Sequence, residues 1–282
     1  LITSAFLLLS GDESAYFVAQ KQPMKLAAME GLYKGEKNAG LVAAGILNLA
    51  KELGDESEPF LLEIKVPYAL GIMANRELDS FTPGINDLLY GNSEHNLISV
   101  EEKMAKGKVA IEALKNYKEA KKANDESLMK SSLSNLESSL NFLGYGYLKD
   151  AKEAVPPVAL TFYSFHIMVA LGTYFIALFA ITLYLNLSRK YKFENIRAFL
   201  WICLFTIPLG YIAAEAGWIV AEVGRQPWVI QDLMTVGVGA TNLSDSNVKI
   251  SFILFAVLFT VLLIAEIKIM LKQIKIGFND HA

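Results

Sequence analysis

The sequence predicts an all-α, polytopic membrane protein: a transmembrane helical bundle that carries a large extracytoplasmic, mainly helical loop. Three observations lead there. Of 282 residues, 53% are hydrophobic and only 20% charged, with a mean hydropathy of +0.34, a balance tilted toward a bilayer. The charge is also unevenly spread, because residues 12–155 hold 17 of the 26 Lys and Arg and 22 of the 29 Asp and Glu. Beyond that block lie three apolar runs, each long enough for the roughly 20 residues that a helix needs to cross hydrocarbon.

Taken in order, the uncharged opening from Leu1 to Gly11 has no basic flank and is too short to cross alone. It reads as the end of a transmembrane helix cut midway, not as a signal peptide. Residues 12–155 form the polar block. Within it Met104, Ile111, Leu114 and Tyr117 make one helical stripe, and Leu136, Leu140, Leu143 and Tyr147 make another. Asn124-Asp125-Glu126-Ser127 supplies a turn and a cap between them, so a helical hairpin packed on the rest is expected. Residues 60–74 are apolar but broken by Glu63, Lys65 and Pro67, and read as buried or interfacial, not spanning.

The three spans are expected at about 160–187, 198–222 and 250–270, the second interrupted by Pro208 and Glu215. Between the first two, Arg189, Lys190, Lys192 and Arg197 stand against Glu194 alone, which places that link in the cytoplasm. Lys268, Lys272 and Lys275 fall on the same side after two more crossings. Residues 12–155 and 224–249 are then outside. A net charge of −3 without basic runs sets nucleic acid aside as a partner. The single cysteine, Cys203, excludes an internal disulfide and a multi-cysteine metal site within this chain.

Three segments carry side chains able to do chemistry. Glu215, Trp218, Glu222 and Arg225 share one stripe of the second span. Carboxylates in a span cost several kcal/mol, so they normally face a partner, a cofactor or a proton path. Two readings stay open: a Glu222–Arg225 ion pair at the membrane edge, or a metal or haem ligand or proton relay. Pro227 after Gly224 stops the helix and leaves Arg225 and Trp228 at the interface. The first span holds His166, able to take a proton, bind metal or hydrogen-bond, and Met168, a residue type that usually fills cores. They lie about 200° apart around the helix. Lys25 and Glu30 bracket an apolar patch and lie about 140° apart on an ideal helix. By themselves they read as two solvated charges.

The stretch Gly217-Trp-Ile-Val-Ala-Glu-Val-Gly-Arg-Gln-Pro-Trp228 resembles a signature of subunit I of the cytochrome bd quinol oxidases. Supporting pieces follow in order: Gly11-Asp-Glu-Ser14, Lys25-Leu-Ala-Ala-Met-Glu30, Val66-Pro-Tyr-Ala-Leu-Gly71, Leu143-Gly-Tyr-Gly146 and Phe165-His-Ile-Met168. The resemblance spans nearly the whole chain and corresponds to the carboxy-terminal half of that subunit. It implies a bacterial inner-membrane enzyme that oxidises quinol at the outer face. Electrons would pass through haems b to a haem d site that reduces oxygen to water, generating a proton motive force.

The resemblance also assigns residues. Met168 corresponds to an axial ligand of the low-spin haem b, where methionine–histidine ligation fills both axial positions and favours electron transfer. Glu222 corresponds to the ligand or close neighbour of the high-spin haem b, with Trp218 and Arg225 around it, so Glu222 and Arg225 are the catalytic candidates. Lys25 and Glu30 correspond to the pair implicated in quinol binding, the carboxylate accepting a hydroxyl proton and the ammonium orienting a ring oxygen. Residues 12–155 would then be the periplasmic Q-loop in its long form, and 156–282 the three-helix haem-binding region.

Two departures stand out. His166 occupies a position beside the low-spin haem where many members have arginine, and a neutral imidazole would stabilise the reduced haem less than a fixed guanidinium. No second intramembrane histidine is present in the sequence. The remaining ligands and most of the haem d site are therefore expected in a missing amino-terminal half, without which this chain should be inactive. Subunit II, a small accessory subunit and the lipid membrane complete the expected partners. The competing reading is a proton-coupled transporter using Glu215 and Glu222 beside the helix break at Pro208.

Overall fold

The structure, a computed structural model, describes residues 1–188, 196–241 and 243–276. It divides into two units, Leu1–Gly239 and Ala240–Ala282. The first helix, α1 (Ile2–Lys21), runs unbroken through Gly11, so the apolar opening and the first ten residues of the polar block share one helix. Arg76 ties its middle down, with ion pairs to Asp12 at 2.7 Å and Glu13 at 3.3 Å. After a bend at Gln22, Pro23 occupies the first position of α2 (Pro23–Glu30), where its missing N–H costs nothing. Leu26 to Glu30 are all buried. Gly31 ends α2 in the left-handed conformation, and a Cβ there would lie 2.9 Å from the Phe60 ring, so only glycine fits.

Short strands follow: β1 (Glu36–Lys37), β2 (Leu41–Leu47), β3 (Phe60–Val66) and, after α3 (Ala69–Asn75), β4 (Phe81–Thr82). β2 and β3 form an antiparallel hairpin from Leu41↔Val66 to Leu47↔Phe60, and β1 pairs with β4. The block is mainly helical as expected, and these short strands add to it a hairpin that helical periodicity does not signal. Residues 60–74 divide into a strand and a helix at Pro67, where proline and Gly40 at the partner end punctuate the pairing. Nor is that segment buried throughout, because Leu61, Leu62 and Ile64 each expose more than half of their surface, at 72%, 63% and 62%.

α4 (Ile85–Tyr90) leads to the expected helical hairpin of α5 (Val100–Ala123) and α6 (Glu126–Ser139). Asn124 takes the left-handed conformation, and the Asp125 side chain caps α6 by accepting from the Leu128 amide at 3.0 Å. The packing stripe differs from the expected one. The buried face of α5 is Val100, Met104, Gly107, Ala110, Ala113 and Ala120, mostly small residues, while Ile111, Leu114 and Tyr117 sit half-buried beside it. Beyond Ser139 the chain tightens into a 3₁₀ segment, Leu140–Tyr147, which turns Leu140 and Tyr147 outward. Small residues are needed because backbone meets backbone: a Cβ on Gly107 would lie 2.3 Å from the Gly146 amide and 2.4 Å from the Phe142 carbonyl.

A second 3₁₀ turn, Ala151–Ala154, precedes α7 (Val158–Leu187); α8 (Arg197–Glu222) and α10 (Asp245–Ile276) are the other long apolar helices. All three are long and apolar enough to cross a membrane. Most of the basic link between α7 and α8 lies outside the described residues, as does His281 in the tail. α7 and α8 pack through Leu178, Phe199, Ala216 and Val220, and a 2.6 Å hydrogen bond joins Tyr174 to Thr206. After α8 a small hairpin of β5 (Trp228–Ile230) and β6 (Met234–Thr235) leads into α9 (Val236–Gly239). α10 buries none of its side chains and is uncharged between Lys249 and Glu266, the all-round apolar surface that suits contact with lipid.

Gly107→Val is expected to destabilise the assembled protein by about 3 kcal/mol, because the obstructing atoms are backbone and cannot swing aside. Thermal melting followed by circular dichroism checks it, with the exposed Glu119→Ala as the control.

Candidate functional site

Two polar clusters lie where the polar block meets the long helices. The first is at the carboxy-terminal end of α8. On a helix, Glu215, Trp218 and Glu222 fall within about 60° of one another, and the buried Ala216 and Val220, which flank the Gly217 that meets Met168 of α7, lie about 100–160° away. The polar stripe therefore points away from α7. Glu215 is exposed, Trp218 is 62% exposed, and Glu222 is half-exposed with its carboxylate 2.6 Å from the Arg225 guanidinium. An indole and two carboxylates on the outer side of an apolar helix need a cover other than lipid tails. This is the kind of surface that a bound prosthetic group or a neighbouring helix fits.

Lys25 joins this cluster. Its ammonium lies 3.5 Å from the Ala221 carbonyl near the end of α8, where a cation is favourably placed against the helix dipole. Burial holds the Lys25 ammonium below its ordinary range; the positive Arg225 adds to that, and Glu222 opposes it. Gly224 lets the two elements close up, since a Cβ there would lie 3.3 Å from Lys25 Cε.

Glu30, the other member of the expected pair, lies elsewhere. It exposes 1% of its surface, and neither carboxyl oxygen has a hydrogen-bond partner. Burial pushes its carboxyl up to about 8, opposed by the nearby Val42 amide, which favours the ionised form without reaching hydrogen-bond geometry. The folded chain thus holds this proton more tightly than the unfolded chain. Its stabilising effect is complete below about 4.5 and is lost as the pH rises through about 8. Glu30 is among the lining residues of a cavity of about 770 Å³ that also includes Tyr33, Val42, Lys51, Phe60 and Lys65. Cavities of this size accommodate ring-containing small molecules. The structure therefore separates Lys25 and Glu30 onto two sides of α2, one toward α8 and one toward the cavity.

Met168 and His166 likewise diverge. Met168 is half-buried and faces α8 at Gly217, where a Cβ would lie 3.0 Å from its sulfur. Thioether and carboxylate thus stand on different elements, and the thioether carries no competing hydrogen bond, a donor suited to haem iron. Both ring nitrogens of His166 meet backbone carbonyls: Nδ1 is 2.9 Å from Phe162 O and Nε2 2.8 Å from Val42 O. Both carbonyls are acceptors and a neutral ring carries a single N–H, so the tautomer decides which of the two contacts is a hydrogen bond; the proton on Nε2 makes it the one to Val42, across 124 residues of sequence.

Sequence reasoning missed a third cluster. The Tyr145 hydroxyl donates to Asp232 at 2.7 Å, the Gly144 amide donates to the Asp232 carbonyl at 2.8 Å, and Trp228 packs edge-on against Tyr145. Burial, and then the Asp232 charge, push the Tyr145 phenol well above its ordinary range. The Leu143-Gly-Tyr-Gly146 piece was noted for its resemblance alone, and nothing in the sequence spacing pointed to Asp232.

Three long apolar helices, two of them packed on each other in a unit with a folded polar block, define an α-helical, multi-pass membrane protein. The chain belongs to the cytochrome bd terminal oxidase subunit I family, which it matches over residues 1–278. It is 32% identical over 284 residues to the cytochrome bd-II ubiquinol oxidase subunit 1 of Escherichia coli strain K12, covering 95% of this chain and 51% of that one. To the cytochrome bd ubiquinol oxidase subunit 1 of Bacillus subtilis strain 168 it is 28% identical, covering 95% of this chain and 45% of the relative. The bd oxidase structure from Geobacillus thermodenitrificans superposes with a TM-score of 0.62 at 24% identity, covering 98% of this chain and 47% of the other, a likeness of fold. The chain spans about half the length of the curated relatives it matches.

Tyr145→Phe should loosen the Trp228–Asp232 turn and cost about 1–3 kcal/mol, since the half-buried Asp232 carboxylate loses the Tyr145 hydroxyl and keeps only the Gln231 amide as a side-chain donor. Limited proteolysis of the assembled protein at this turn, faster in the variant, checks it.

Proposed function

We propose that this chain supplies the quinol-oxidising portion and two of the haem contacts of subunit I of a cytochrome bd-type terminal oxidase. The observation that carries the reading is Glu30, a buried carboxyl without a donor, among the lining residues of a 770 Å³ cavity. A quinol hydroxyl entering there would meet an acceptor for its proton, while the aromatic walls of Tyr33 and Phe60 suit a ring. In this reading residues 12–155 form the outer quinol-binding loop, and Lys25 acts from the α8 side, holding α2 against the charges of Glu222 and Arg225.

Met168 would hold the low-spin haem b through its sulfur, and Glu222, steadied by Arg225 and flanked by Trp218, would stand at the high-spin haem b. When bound, these haems and haem d supply the electron path from quinol to oxygen, which is reduced to water. This chain's own part is to bind quinol, take its proton outside and hold two ligands in the spans. Charge separation across the membrane follows from protons released outside and consumed from the cytoplasm. The family's remaining length, subunit II and a small accessory subunit would complete the ligand sets, and this portion alone would be inactive.

Two outcomes are expected. Because the Glu30 carboxyl ionises near 8, kcat/KM for quinol should fall about tenfold for each unit of pH below that value, and Glu30→Gln should abolish this limb while lowering the rate at least about 100-fold. Quinol-dependent oxygen uptake by the complete oxidase across pH 5–9 reads both. Met168→Leu should remove the reduced low-spin band from the absorption spectrum of the complete oxidase and slow quinol oxidation at least about 100-fold. Unaltered spectrum and turnover would contradict the assignment.

A further inference from the structure

We propose that His166 is a positioning residue for the quinol cavity: its Nε2–H fastens the β2–β3 hairpin to α7 through the Val42 carbonyl and so sets the wall against which Glu30 is buried. The inference rests on the quinol reading of Glu30 and deepens it.

His166 lies about two turns into α7, so the hairpin reaches down alongside the helix instead of resting on its tip. β2 pairs only with β3, in a two-stranded ladder, and its other edge needs partners for its polar backbone groups. α7 provides two. His166 Nε2 lies 2.8 Å from Val42 O, a hydrogen bond when the ring proton is on Nε2, and the Leu47 amide donates to the Tyr163 hydroxyl at 3.0 Å. Between these fastenings Val42, Leu47 and Phe162 form one buried cluster, with Phe60 packed on it. The Phe162 ring is fully buried and lies 3.9 Å from the imidazole and 5.6 Å from the Phe60 ring.

Val42 links the fastening to the pocket. Its carbonyl faces His166 Nε2, its amide acts on the Glu30 carboxyl, and it lines the cavity with Glu30 and Phe60. A shift of Val42 therefore changes the pocket's shape and the surroundings of its acidic group together. Guanidinium at this position, longer and branched, would not make the same single contact from the same depth. His166 acts through Val42 and need not touch quinol. Met168 lies two residues further along the same helix, so the hairpin's fastening and the thioether proposed to hold the low-spin haem share one segment.

The test uses the complete oxidase with His166→Leu, His166→Gln and Tyr163→Phe. Glutamine keeps an N–H donor at the reach of Nε2, whereas leucine keeps bulk alone. His166→Leu is expected to raise KM for quinol about tenfold and to speed amide hydrogen exchange in residues 41–47 at least about tenfold. Tyr163→Phe should move both in the same direction, and His166→Gln should restore both to within about threefold of the parent. Exchange in 41–47 that is unchanged in His166→Leu, or glutamine that fails to rescue, overturns the inference. Glu30→Gln in the same preparations separates the two ideas. If it leaves KM and the pH profile unaltered, the quinol reading fails, while the exchange measurement still decides whether His166 holds the hairpin.

Discussion

The structure turns on the seam where a polar, folded block meets apolar helices, and on one rule that governs such a seam: a polar group taken out of water needs a partner. Nearly all of them have one. Val42 O and Leu47 N find α7 side chains, Asp232 finds Tyr145, and Asp87 gathers the Gly35 and Gly84 amides and the Asn92 side chain. Single atoms of Gln22, Asn38 and Arg225 break the rule, and Glu30 breaks it most fully, since burial at 1% exposure leaves both of its oxygens without a donor. A carboxyl so placed keeps its proton to unusually high pH, and it does so beside a cavity. A strongly perturbed acid in a cleft is a candidate functional group.

α2 organises what lies around that seam. Its eight residues point Glu30 to the cavity and Lys25 to the end of α8, about 140° apart, so one short helix lies beside the proposed quinol pocket and within the field of the Glu222–Arg225 pair. Pro23 presets the helix at its start, and Gly31 closes it in a left-handed conformation where a Cβ would meet Phe60. α8 is similarly two-sided. Ala216, Gly217 and Val220 let it lie against α7 and Met168, and the stripe of Glu215, Trp218 and Glu222 is exposed within this unit. Thioether and carboxylate thus lie on different faces of the α7–α8 pair, in keeping with the two separate contacts proposed for them.

Much of this was legible in the sequence. Helix periods and uncharged runs gave α7, α8 and α10 to within a few residues, because a membrane span is specified by length and apolarity alone. The turn at Asn124 and Asp125 was legible because capping chemistry is local. What escaped depends on partners distant in sequence. The β2–β3 hairpin has mixed exposure and no alternation that stands out from its neighbours, and α5 packs through Gly107 and small residues because backbone approaches it, a contact invisible without Gly146 in view. His166, Met168, Lys25 and Glu30 could be named from motifs. That His166 turns to Val42 and that Lys25 parts company with Glu30 could not, since both depend on where the polar block settles on the helices.

The most direct test of the central claim is the protonation state of Glu30 itself. Infrared difference spectroscopy of the complete oxidase, with isotope-labelled glutamate and Glu30→Gln as reference, reports the carbonyl stretch of a protonated acid. The account predicts that this band is present at neutral pH, belongs to Glu30 and disappears with a midpoint near 8. An ionised Glu30 at pH 6, with no acid band assigned to it, would contradict the account.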